Sequence, residues 1–251
     1  MNRSYKTKAI IIKQFEVGEA DRIIIAFSRD FGLITLKARG VRKILAKLKG
    51  HLELLAYTQL EVHKGRSSLD TIIGAEAIDS FKKIRQNLRS TSRLYLVLEF
   101  LNKILPEGES HPQIFDCLLF LLKSLDKKES RKRLIVIITY FYLQALRGLG
   151  YYPHFRECIK CQGDLKRGSN FFDFYGAGTI CRDCGRGENL TKISDRAVVF
   201  LRFLIENKRI FLPKIKISAK ISAEAYALVE YYLETTIDSE LKSKKFVKLI
   251  D

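Results

Sequence analysis

Tryptophan is absent from the 251 residues, and only four prolines stand against 15 glycines. So little proline excludes a collagen-like or proline-rich chain. Five cysteines are sparse, and their odd number speaks against a disulfide framework. A reducing, cytoplasmic compartment is expected. Long apolar runs are missing as well. The longest, Leu134–Leu146, is flanked by Arg131–Arg133 and Arg147. It falls short of the ~18–20 residues that a bilayer-crossing helix needs. The first residues are polar, and Ala9–Ile12 is too short for the core of a signal peptide.

Several catalytic motifs are missing too. There is no GxxxxGK[ST] loop for a nucleotide, no GxSxG and no HExxH. Gly148-Leu149-Gly150 follows a helical stretch and lacks a third glycine, so it reads as a helix stop. His51, His63, His111 and His154 are scattered, and none pairs with an obvious nucleophile. Asp21 and Arg22, beside Gly18 and Glu19, read as a turn with a local ion pair. A non-enzymatic protein is the expectation.

What is present is an ordinary globular composition, 47% hydrophobic and 29% charged. The net charge is +17 and the pI near 9.7, which favours a polyanionic partner. The excess is local in the first 80 residues. They carry 14 Lys+Arg and 9 Asp+Glu, and six of those cations lie within Lys37–Lys49. Further basic stretches occur in Arg202–Lys220 and Lys242–Lys248.

The first 80 residues read as five short strands: Lys8–Gln14, Arg22–Ser28, Leu33–Ala38, Leu52–His63 and Leu69–Ala77. The fourth alternates Leu52, Leu54, Ala56, Thr58, Leu60 and Val62 on one face. Turns are expected at Arg29–Gly32 and Lys64–Ser68. Five strands in this length fit a small closed barrel, and the OB-fold is the common nucleic-acid-binding one. After residue 80 the period becomes helical. Stripes run through Leu94–Leu105, Ile114–Leu125 and Leu134–Leu146, and they are expected to face one another in a bundle. Further helices start near Ser194 and Ser222. The predicted architecture is therefore α+β. A five-stranded barrel at 1–80, of which the OB-fold is the leading candidate although other small barrels share the pattern, precedes a helical domain at 81–251, with a metal-binding insertion at about 151–190.

Cys158-x2-Cys161 and Cys181-x2-Cys184 have the spacing of a four-thiolate metal site. Each pair presents two sulfurs, and two pairs complete a tetrahedron. Redox pairs or a rubredoxin-like iron share this spacing; one structural Zn2+ is the expectation. Gly163 and Gly185 suit tight turns behind the ligands. Arg156, Lys160, Arg182 and Arg186 are expected to lower the thiol pKa values. Cys117 lies on an apolar helical stripe and reads as a buried core thiol.

Lys37, Arg39, Arg42, Lys43, Lys47 and Lys49 form a cationic stretch with no acidic residue. It lies between the third and fourth strands, on the expected barrel rim, and suits phosphate contacts. No aromatic interleaves it. Phe15, Phe27, Phe31 and Tyr57 lie in the barrel region and read more readily as core than as base platforms. Backbone binding with little sequence preference is expected.

Together these residues resemble the RecO family of bacterial recombination mediators. The resemblance is carried by GEADRIIIAFSRDFGLITLKARGVRK (Gly18–Lys43) and HKGRSSLDTIIGAE (His63–Glu76) in the first half. It continues through ALRGLGYYPHFREC, both CxxC pairs, ISDRAVVFLRFL and the final LKSKKF. It implies an N-terminal OB-fold and a helical domain carrying a zinc finger. It further implies binding of single- and double-stranded DNA, strand annealing, action with RecR, and help in loading the RecA recombinase. Lys37, Arg39 and Arg42 map most directly onto the family's basic surface. A docking site for the tail of single-stranded-DNA-binding protein is implied on the helical domain, with Arg131–Arg133 and the helices around it as the candidate. A zinc-ribbon module of transcription or RNA processing is the alternative reading. A metal-dependent nuclease would need an open metal position or clustered carboxylates, and neither is visible.

Overall fold

A computed structural model describes residues 3–44, 46–65, 69–127, 131–168, 170–187, 190–207, 212 and 215–250, with side chains from 133 onward in the helix that opens at 131. Part of the expected turn at Lys64–Ser68, the side chains of Arg131 and Lys132, and several cations of Arg202–Lys220 lie outside the described residues.

Strands β1 (Ser4–Val17), β2 (Asp21–Ser28), β3 (Gly32–Ala38), β4 (Tyr57–His63) and β5 (Asp70–Asp79) close into a barrel of order β1-β2-β3-β5-β4. β3 and β5 pair in parallel, while β1 pairs with both β2 and β4. The period-two pattern predicts a small closed barrel, and this strand order is that of an OB-fold. The interior is filled by Ala9, Ile11, Ile24, Ala26, Leu36, Ala38, Leu60, Val62 and Ile72, alternate residues of each strand.

The fourth strand starts five residues later than its alternation suggests. Lys49–His51 form a 3-10 turn, and Leu52–Ala56 run as loop. Leu52 and Ala56 still belong to the barrel core, fully buried. Burial without strand pairing therefore mimicked a strand.

The chain packs as two compact units, Met1–Lys128 with Lys242–Asp251, and Glu129–Leu241. The change from strand to helix periodicity falls near residue 80; the change of unit falls at 128/129.

In the first unit, the barrel is joined by α1 (Lys82–Arg85), α2 (Leu88–Ile104), α3 (Pro112–Leu125) and α7 (Ser243–Ile250). α2 begins earlier than its first obvious apolar residue because Asn87 Oδ1 caps it, accepting the Ser90 N–H at 3.1 Å. α3 lays Phe115 against Phe27 and Tyr57 of the barrel, with ring centroids 5.6 and 6.1 Å apart. Arg29 reaches Asp116 with two nitrogens at 3.1 and 3.2 Å. Gly32 has φ +65°, and a Cβ there would collide with the Glu109 carbonyl, so this turn requires glycine. Glu99 of α2 caps α7 by accepting the Lys242 and Ser243 N–H groups at 2.9 and 2.8 Å. Burial opposes ionisation of Glu99, but these donors outweigh it and its pKa is lowered.

In the second unit, α4 (Arg131–Gly148), α5 (Asp195–Glu206) and α6 (Ala219–Thr236) pack together. Ser194 caps α5 as expected, accepting the Ala197 N–H. α6 starts before Ser222. Ser218 is its cap, and Ser222 lies within the helix, donating to the Ser218 and Ala219 carbonyls. Gln144 and Arg147 of α4 donate to carbonyls at the end of α5. Between α4 and α5 a small sheet of order β7-β6-β8 forms from β6 (Asn170–Asp173), β7 (Gly178–Ile180) and β8 (Thr191–Ile193). Among the described residues, no helix is long and apolar enough to cross a membrane.

Candidate metal centre and nucleic-acid interface

The four predicted ligands converge. The sulfurs of Cys158, Cys161, Cys181 and Cys184 all lie within 4.8 Å of one another. Cys161 Sγ and Cys181 Sγ are 3.9 Å apart, far beyond the ~2.05 Å of a disulfide. A tetrahedron with metal–sulfur bonds of ~2.3 Å has edges of about 3.8 Å. The cluster therefore fits one metal ion with four thiolates and leaves no open protein position.

Two turns build the cluster. In the first, Cys158 N–H donates to the Gly163 carbonyl and Gln162 N–H to the Cys158 carbonyl. The left-handed residue is Gln162 (φ 59°), one position before the glycine that the sequence suggested. In the second turn, Gly185 N–H donates to the Cys181 carbonyl. Gly185 is needed for space, since a Cβ there would lie 2.5 Å from the Phe171 ring. The short sheet anchors the module through Phe172, which packs between Phe155 and Tyr232.

Burial disfavours the Cys158 thiolate, but the backbone N–H groups of Cys181, Cys161 and Lys160 outweigh it, and its pKa falls to about 6. Cys184 is pushed up to about 12, because its thiol shares hydrogen bonds with the Cys181 and Cys161 sulfurs. The flanking cations are not the main cause. Arg156 pairs with Glu206 at 2.8 Å and Arg186 with Asp183 at 3.7 Å. Cys117 is buried on α3, as its helical spacing implies.

The cationic stretch divides into two kinds of residue. Lys37, on β3, is half-buried and lies 3.0 Å from Asp21. Arg42 lies 3.1 Å from Glu16 and donates to the Gly18 carbonyl at 2.9 Å. Arg42 N–H also donates to the Ala20 carbonyl, and Gly40 N–H to Asp21 at 2.8 Å. These bonds strap the 39–43 turn onto the β1–β2 hairpin. Arg39, Lys43, Lys47 and Lys49 are exposed and form no ion pair among the described residues.

Sequence reasoning missed the hairpin's part in this. Asp21 pairs with Lys37, not with its neighbour Arg22. Arg22 donates to Gln14 at 3.1 Å and sits 3.9 Å from both Glu16 and Glu53. Strand pairing shows why, since residues adjacent in sequence face opposite sides of the sheet.

The model for "Recombination protein O N terminal" matches residues 1–81, and that for "Recombination protein O C terminal" matches residues 85–245. The chain belongs to the RecO family. The protein named DNA repair protein RecO from Dehalococcoides mccartyi strain 195 is 34% identical over 239 residues, covering 95% of this chain and 93% of its own. The RecO of Thermodesulfovibrio yellowstonii is 30% identical, with 93% of each chain covered. That of Roseiflexus sp. RS-1 is 29% identical over 98% of this chain and 86% of its own. RecO membership carries a role in DNA repair and recombination. The GEADR and ARGVR portions that resemble RecO are largely the strap itself: Gly18, Asp21, Gly40 and Arg42 hold the loop, and Arg22 braces the hairpin.

Proposed function

We propose that this chain is a recombination mediator. It binds single- and double-stranded DNA, anneals complementary strands, and helps RecR load the RecA recombinase onto strands covered by single-stranded-DNA-binding protein. The observation that carries this reading is the strapped loop on the barrel rim, with Arg39, Lys43, Lys47 and Lys49 exposed together. Lys37 and Arg42 complete the basic surface while positioning it.

Annealing follows from electrostatics. Two strands repel through their phosphates. A surface that neutralises phosphates on both lowers the barrier, and counterion release drives binding. Neither step calls for bond chemistry or nucleotide hydrolysis, so the activity is non-enzymatic. The barrel at 1–80 is the DNA-binding domain, and the helical domain at 81–251 presents the partner-protein surfaces. The metal is one structural Zn2+ held by Cys158, Cys161, Cys181 and Cys184. Four thiolates suit zinc, and the closed coordination suits a structural ion. The protein acts in the bacterial cytoplasm, at the nucleoid.

The test mixes labelled complementary strands, with and without their single-stranded-DNA-binding protein, in the absence of ATP. Faster annealing with the purified chain supports the proposal, and an unchanged rate contradicts it.

A further inference from the structure

The outer face of the barrel presents more than charge. Strand register places Phe15, Ile23, Lys37 and Thr71 in one row across β1, β2, β3 and β5. Lys13, Ile25 and Thr35 form the neighbouring row. Ile24, Leu36 and Ala38 point the other way, into the core, so both rows face outward. A β-bulge between Ile11 and Lys13 creates this arrangement. Ile11 lies inside the barrel, and unbroken alternation would send Phe15 inside with it. The extra residue reverses the parity and turns Phe15 out.

The four barrel aromatics that the sequence nominates now separate. Phe27 and Tyr57 are buried against Phe115. Phe31 is 38% exposed, but its ring packs on Tyr5 at 4.7 Å. Phe15 is 44% exposed, with Lys13 Nζ 4.7 Å from its ring centre. Val17 is similarly exposed beside it, and Ile23 and Ile25 are half-buried. Asp21, the carboxylate on this face, is held by Lys37 and the Gly40 N–H. Through these two bonds the cationic loop is joined to the edge of this face.

An exposed ring on an apolar patch, bordered by cations, has the chemistry of a single-strand platform: charge tracks the phosphates and the ring stacks on a base. We propose that this face takes the unpaired bases of a single DNA strand, with Phe15 as the stacking platform, while the loop cations hold the phosphates. This rests on the DNA-binding reading above and adds to it a means of telling single strands from duplex. Paired bases stack on one another and cannot reach the ring. Phe15 therefore contributes to single strands alone, whereas Arg39, Lys43, Lys47 and Lys49 serve both.

The test uses the full chain and three probes of equal length: oligothymidylate, a strand of abasic residues, and a duplex. The wild type binds oligothymidylate more tightly than the abasic strand. Phe15→Ala weakens binding to oligothymidylate by about five- to a hundredfold and leaves the other two probes unchanged. Phe15→Tyr keeps the preference, and so does Phe31→Ala, which removes a ring packed on Tyr5. Equal wild-type affinity for the abasic strand and oligothymidylate overturns the platform alone, as does a Phe15→Ala loss shared by all three probes. Failure of the wild type to bind any probe overturns the DNA-binding reading itself.

Discussion

Asp21 Oδ2 lies 3.0 Å from Lys37 Nζ, and Oδ1 accepts the Gly40 N–H at 2.8 Å. One carboxylate thus joins the β1–β2 hairpin to the cationic loop. The Gly40 N–H and then Lys37 lower its pKa below the ordinary 3.8. A lowered carboxylate pKa stabilises the fold above the unfolded-state value, and this contribution fades as pH falls through the folded-state value. Asp21→Asn is therefore expected to be less stable than wild type at neutral pH. The difference narrows below pH ~4. Urea midpoints measured from neutral to acid pH check this, and a difference independent of pH would contradict it.

The two kinds of loop cation should separate in experiment. Replacing Arg39, Lys43, Lys47 and Lys49 with Ala should leave the thermal midpoint nearly unchanged and reduce the salt dependence of single-strand binding. Each lost phosphate contact lowers the slope of log affinity against log salt by about 0.7. Lys37→Ala and Arg42→Ala should lower the thermal midpoint as well, since both residues also hold the strap. Salt titrations and melting curves on the same preparations check the division.

Metal removal should loosen one module and spare the other unit. Chelation under reducing conditions, or Cys181→Ser, is expected to raise amide exchange across residues 151–190. Exchange in β1–β5 should stay unchanged. Elemental analysis should find one zinc per chain in untreated protein. No bound metal, or iron in its place, would contradict the zinc assignment.

Phe115 is fully buried between α3 and the barrel, in contact with Phe27 and Tyr57. Phe115→Ala should cost about 3–5 kcal/mol. Denaturant unfolding of the variant measures that cost, and a loss below about 1 kcal/mol would show that α3 does not depend on this ring.

Much of this was legible from residue order. Period-two runs revealed the barrel strands, because interior and exterior residues alternate along each one. The CxxC pairs revealed the cysteine cluster, because their spacing is that of a four-thiolate site. Four features were hidden for physical reasons. Leu52 and Ala56 are buried by loop packing and so imitated a strand. β6, β7 and β8 are only three or four residues long, too short to show a period, and they are held by pairing across the metal module. The orientation of Phe15 depends on a bulge that alternation does not encode. The division of the cations was hidden for a related reason. The partners of Lys37 and Arg42 lie 16 and 26 residues away, at Asp21 and Glu16, and meet them only once the strands pair.

The account rests on the exposed loop cations bringing two strands together without chemistry. The most direct measurement is the annealing rate of complementary strands without nucleotide, comparing wild type with the Arg39/Lys43/Lys47/Lys49→Ala variant. The account predicts rapid annealing by the wild type and a rate near that of free strands for the variant, with its melting temperature intact. Equal annealing by a folded variant would contradict it.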